Sequence, residues 1–122
     1  MGFLSNLFGI KSVDFKELMQ NGAVIVDVRT PAEYNSGHIK GSINMPLQSL
    51  NNTMNKLKKD KPVITCCASG MRSGSAKAIL KSNGFSQVEN GGGWTSLRSK
   101  IWLNIFKKVG KPTFLNETLS FS

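Results

Sequence analysis

Two short runs fix most of what this chain can become. AVIVDV, residues 23–28, and PVITC, residues 62–66, are apolar and rich in β-branched residues. Both are too brief for self-burying helices, so each reads as a strand covered on both faces. A helix opening follows each one. After the first comes Thr30-Pro31-Ala32-Glu33: a capping threonine, a proline at the first helical position and a glutamate that can reach back to the cap, with Gly37 to stop the helix. After the second, a helix is expected from about Ser73 to Ser82, burying Ala76, Ile79 and Leu80 and ending at Asn83-Gly84.

The rest of the chain keeps this rhythm. Asp14 can cap a helix bearing Phe15, Leu18 and Met19 on one face, and SINM, 42–45, makes a brief strand. Leu47, Leu50, Met54 and Leu57 recur at helical spacing up to Lys59. QVEN, 87–90, is a further strand, followed by three glycines and an amphipathic segment led by Trp94, Leu97, Ile101 and Ile105. Strands alternating with helices predict an α/β fold: a small, open, mostly parallel β-sheet flanked by helices on both faces. With 122 residues there is room for one such domain, expected at 12–103. Residues 1–11 form an N-terminal segment, read as a short packing helix with Phe3, Leu7 and Phe8, and residues 104–122 a basic C-terminal extension.

In an open α/β sheet, ligands gather beyond the carboxyl ends of the strands. There the sequence reads TCCASGMRSGSAK, 65–77, and contains the only two cysteines of the chain. Ala68, Ser69, Gly70 and Met71 are small or flexible where the backbone must curl, and Gly70 can take a left-handed conformation without steric cost. A curl here turns successive N–H groups, and the amino end of the following helix, toward the preceding cysteine. Arg72 adds a cation at the rim. These features favour a thiolate, so the loop cysteine is expected to ionise below the ordinary value of about 8.5. His38 is the single histidine and reads as part of a turn, so no histidine base is assigned.

Adjacent cysteines cannot staple a loop, which points to a reducing compartment; the expected localisation is cytoplasmic. The opening MGFLSNLFGIKSV lacks the pattern of a signal peptide and is too short to span a membrane. Sixteen Lys and Arg against seven Asp and Glu give a formal charge of +9, but the basic residues are scattered and no nucleic-acid-binding motif accompanies them. The surplus suits mild steering of small anions, not specific nucleic-acid binding.

DVRTPAEYNSGHIKGSINMPL, 27–47, with VITCCASGMRSGSAKAILKSNGFSQVENGGGW, 63–94, resembles the single-domain rhodaneses, a sulfurtransferase family whose catalytic cysteine opens a C-x-x-G-x-R-S loop. The resemblance spans about residues 12–103. It implies Cys67 as the persulfide-carrying cysteine, with Ala68, Ser69, Gly70, Met71, Arg72 and Ser73 as the loop and Arg72 as its arginine. Asp27 and Arg29 match the family's D-V-R, and Glu33 follows in the next helix. From the residues alone, Asp27 is read as bracing Arg72 or accepting loop N–H bonds, and Arg29 as pairing with Glu33. The implied chemistry moves a sulfane sulfur from a small anionic donor such as thiosulfate to cyanide, a small thiol or a protein thiol, with no metal or organic cofactor. Immediate succession of Trp94 after the glycines departs from many members.

Two other functions remain open at this stage. A non-enzymatic or sulfur-carrier interaction module is one. A cysteine-dependent phosphatase or arsenate reductase is the other, because Cys66 to Arg72 literally spells C-x5-R, whereas Cys67 to Arg72 encloses one residue fewer. Cys66 itself reads as a small core residue pointing away from Cys67, or as a resolving thiol.

Overall fold

The computed structural model describes residues 12–109, with side chains as far as residue 101. In chain order, α1 (Phe15–Gln20) leads to β1 (Val24–Asp27), α2 (Pro31–Asn35) and β2 (Ile43–Asn44). A segmented stretch holds a 3₁₀ turn (Leu47–Ser49), α3 (Leu50–Thr53) and a second 3₁₀ turn (Met54–Lys56). Then come β3 (Val63–Cys67), α4 (Met71–Ser82), β4 (Val88–Gly93) and α5 (Trp94–Val109). The strands form one parallel sheet in the order β2-β1-β3-β4. Two helix starts are capped as expected: Asp14 accepts the Glu17 N–H, and Thr30 and Glu33 form a reciprocal capping box.

Alternation along β3 divides the core. Val63 and Cys67 face the α3/α4 side, in a cluster with Val26, Val28, Met45, Leu50, Ala76, Leu80, Phe85 and Val88. Ile64 and Cys66 face the other side, with Phe15, Leu18, Ile25, Ile39, Leu97 and Ile101 from α1, α5 and the neighbouring strand. Helices thus cover both faces of the sheet, and its two central strands, β1 and β3, are closed from water on either side.

Three local details differ from the sequence expectation. The helix expected over 47–59 is broken into three short pieces. Its middle is Asn51-Asn52-Thr53, residue types of low helix propensity, and Thr53 Oγ1 donates to the Ser49 carbonyl at 3.2 Å. Helix α4 begins two residues before Ser73, at Met71, because Gly70 makes the turn in a single step at φ +110°. Gly91-Gly92-Gly93, expected to leave the strand, continues it as the end of β4.

The glycines form a bulge beside the cysteine end of β3. Between the pairs Thr65–Asn90 and Cys67–Gly93, β4 carries one residue more than β3. A Cβ on Gly91 would lie 2.7 Å from Leu97 Cδ2, 2.9 Å from Ile64 Cγ2 and 2.9 Å from the Thr65 carbonyl oxygen. Gly91→Ala is therefore expected to lose about 1–3 kcal/mol through overpacking, read as a lower urea midpoint with an unchanged slope.

The segment expected at residues 1–11 and the side chains of the extension from 104 onward lie outside the described residues.

Candidate active site

Cys67 is the last residue of β3, and the chain must reverse within three residues to begin α4. Gly70 does this in the left-handed region, where a side chain would be strained. The reversal aims donors at the sulfur. Gly70 N–H donates to Cys67 Sγ at 2.9 Å, Ser73 N–H at 3.3 Å, and Ser73 Oγ lies 3.4 Å from the same atom. The side chain of Cys67 is 0% exposed, although Ala68 and Ser69 above it face solvent and Met71 is 83% exposed.

Two adjacent cysteines acquire opposite acid–base character. Burial works against a charge on Cys67, but hydrogen bonding with the Ser73 side chain and with the N–H groups of Ser73, Gly70 and Ser69 outweighs it and brings the thiol below its ordinary value. Cys66 has no such donors. Burial, and then the nearby Asp27 charge, push it up to about 12. Alkylation of Cys67 by iodoacetamide should accordingly show a pH midpoint below the free-thiol value of about 8.5, while Cys66 stays unreactive through neutral pH.

Charged side chains meet in pairs other than those expected. Asp27 does not reach Arg72. It faces the Cys66 side of the sheet, opposite Cys67, because strand side chains alternate and Asp27 is in register with Cys66. Its carboxylate instead holds Arg29 through Nε at 2.9 Å and Nη2 at 2.8 Å and accepts the Arg29 N–H at 3.1 Å. Arg29 meets only the main-chain carbonyl of Glu33, not its carboxylate, and donates also to the Gly37 carbonyl. Its guanidinium stacks on Trp94, 4.7 Å from the ring centroid.

The Glu33 carboxylate is taken by Arg72, in two parallel bonds of 2.8 and 3.0 Å. Arg72, Thr30 N–H and the Thr30 hydroxyl together lower the Glu33 pKa to about 2. The lowered value means the pair stabilises the fold above the ordinary carboxylate range and ceases to do so only as pH falls toward about 2. Arg72 therefore sits at the rim with its charge already matched.

Asn90 belongs to the site and the sequence reading did not single it out. Its Oδ1 accepts from Ser73 Oγ at 2.6 Å and from Gly92 N–H at 2.9 Å, and its Nδ2 donates to the Gly70 carbonyl at 3.2 Å. A signal existed: an asparagine immediately before three glycines, where the sequence places the end of the strand beside β3. His38 stacks on Tyr34 with 3.7 Å between ring centroids, its Nδ1 2.8 Å from the Tyr34 carbonyl oxygen, as suits a turn residue. Cys66, packed on the far face, has no loop around it, which removes the geometry that a C-x5-R reading requires.

Residues 12–100 match the profile of the rhodanese-like domain. The Bacillus subtilis (strain 168) protein YqhL is 40% identical over 80 residues, covering 65% of this chain and 64% of that protein, so the chain spans less than two thirds of that relative. The thiosulfate sulfurtransferase PspE of Escherichia coli (strain K12) is 40% identical over 70 residues, covering 56% of this chain and 67% of PspE. The solved structure of a rhodanese with anions from E. coli superimposes with a TM-score of 0.58 at 36% identity, over 61% of this chain and 89% of that one. A parallel sheet ending in a cysteine cradle, and a profile match across most of the chain, lead to one assignment: this protein belongs to the rhodanese-like family.

Proposed function

We propose that the chain is a sulfurtransferase that carries a sulfane sulfur as a persulfide on Cys67. The observation that carries this reading is the convergence of the Gly70 and Ser73 N–H groups on one sulfur at the exit of β3, with the Ser73 hydroxyl oxygen 3.4 Å from the same atom. The thiolate attacks the outer sulfur of a donor such as thiosulfate; the donor's S–S bond breaks, and its electron pair leaves with sulfite. The new persulfide anion keeps the charge that the loop donors stabilise. Cyanide or a thiolate then takes the outer sulfur and returns Cys67 as thiolate, so charge and electrons balance at both steps. Relatives named as thiosulfate sulfurtransferases support the donor class.

Arg72 is shared with Glu33, and Ala68, Ser69, Gly70 and Met71 bring no cation of their own. The loop thus offers main-chain N–H groups, not free side-chain charge, to a dianion. This favours slow turnover of thiosulfate and a thiol as the working acceptor. Mass spectrometry of the protein after thiosulfate treatment tests the proposal: a gain of about 32 Da, one sulfur atom, on the peptide containing Cys67 is expected, and an unmodified peptide would overturn it.

A further inference from the structure

We propose that Asn90 is a positioning residue that competes with Cys67 for the single hydroxyl proton of Ser73, and thereby limits how readily the Cys67 thiolate is held. Ser73 Oγ has one proton and lies near three acceptors: Asn90 Oδ1 at 2.6 Å, the Gly70 carbonyl at 3.1 Å and Cys67 Sγ at 3.4 Å. While Cys67 is a thiol its S–H donates to Ser73 Oγ, the serine proton goes to Asn90, and every group is satisfied. Once the sulfur is ionised it has no proton to give and needs one from Ser73. Asn90 holds that proton through the shortest of the three contacts.

The orientation of the Asn90 amide is fixed by the backbone. Gly92 N–H points at Oδ1 and the Gly70 carbonyl faces Nδ2, so a flipped amide would set donor against donor and acceptor against acceptor. Among the described residues no hydrogen bond joins Asn90 to the sulfur directly; the connection runs through the buried Ser73. The charged and titratable groups on the surrounding elements are Asp27 with Arg29, Glu33 with Arg72, Lys77 with Glu89, Cys66, and, across the cavity that Asn90 lines, Asp14 and Glu17 at the start of α1. Substitution of Asn90 changes none of them.

The test is the pH dependence of iodoacetamide alkylation at Cys67, followed on its peptide, in wild type, Asn90→Ala, Ser73→Ala and the double variant. Freed from Asn90, the Ser73 proton is left with the neutral Gly70 carbonyl and the sulfur; the charged thiolate is the stronger acceptor, so the midpoint of Asn90→Ala should fall by about one unit, the scale of one hydrogen bond to a charged group. In the Ser73→Ala background the same substitution should leave the midpoint in place. Simple loosening of the loop would withdraw N–H donors and move the midpoint upward. An Asn90→Ala midpoint that rises or stays, or a shift that persists undiminished without Ser73, overturns the proposal.

Should Asn90→Ala not fold, the near-isosteric Asn90→Asp carries the test. Its carboxylate holds the serine proton more firmly, so the midpoint should rise more with Ser73 present than in Ser73→Ala; an equal or smaller rise is fatal to the idea. The inference rests on Cys67 as the reacting thiol. Alkylation needs no sulfur donor, so absent sulfur transfer with this pattern intact would remove the functional reading alone.

Discussion

Cys67→Ser is expected to abolish sulfur transfer from thiosulfate to cyanide, a loss on the order of 10³-fold or more, whereas Cys66→Ser should keep most of the activity. Serine retains the size and the hydrogen bonds of the side chain, but its hydroxyl is not ionised by a few N–H donors and cannot store a sulfane sulfur. Removal of a nucleophile that forms the covalent intermediate leaves only binding and electrostatics, hence the scale of the loss. Cys66 lies across the sheet among Phe15, Ile64 and Leu97, and its replacement alters packing, not chemistry. Side-by-side assays of the two variants, with the about 32 Da adduct followed in each, decide the matter. Retention of the adduct in Cys67→Ser and its disappearance in Cys66→Ser would reverse the assignment.

The largest expected effect on stability lies on the neighbouring strand, where Asp27 is in register with Cys66. Asp27 is 0% exposed and Arg29 3%, and they neutralise one another at the carboxyl end of β1. Loss of one partner strands the other without water, so Arg29→Ala should destabilise the fold by about 3–5 kcal/mol. Out of a total of roughly 5–15 kcal/mol for a domain of this size, that is enough to unfold a substantial fraction of the protein near body temperature. Urea unfolding by circular dichroism measures it. A loss below about 1 kcal/mol would mean that water reaches the site and the pair behaves as a surface contact. The half-exposed Glu33–Arg72 pair provides the comparison, since Glu33→Gln should cost far less.

Several of these features are legible in the sequence alone. Both central strands, the capping box at Thr30 and Glu33, and the curl at Gly70 follow from local chemistry, which is why the α/β sheet and the cysteine loop could be read from sequence. Pairing of the charges could not be read from proximity along the chain. Arg29 and Glu33 stand four residues apart, yet Arg29 turns back to Asp27 and Glu33 crosses to Arg72. Parity along the strand held part of the answer: Asp27 shares a face with Ile25 and therefore with Cys66. Three consecutive glycines gave no strand signal, because glycine loses more entropy than other residues in extended structure; only the tight approach of Leu97, Ile64 and the Thr65 carbonyl explains their presence in β4. Asn90 was hidden for a related reason, since its contacts are set by the register of two strands far apart in sequence.

The seal over Cys67 has a kinetic corollary. On the proposed function, a reacting atom with no exposed surface obliges every molecule that delivers or collects sulfur to wait until the chain above it opens. Such a turnstile makes the ceiling rate insensitive to how reactive the incoming compound is, and shifts discrimination to what can pass the protruding Met71 side chain. Donors of very different intrinsic strength would then converge on one plateau at saturation.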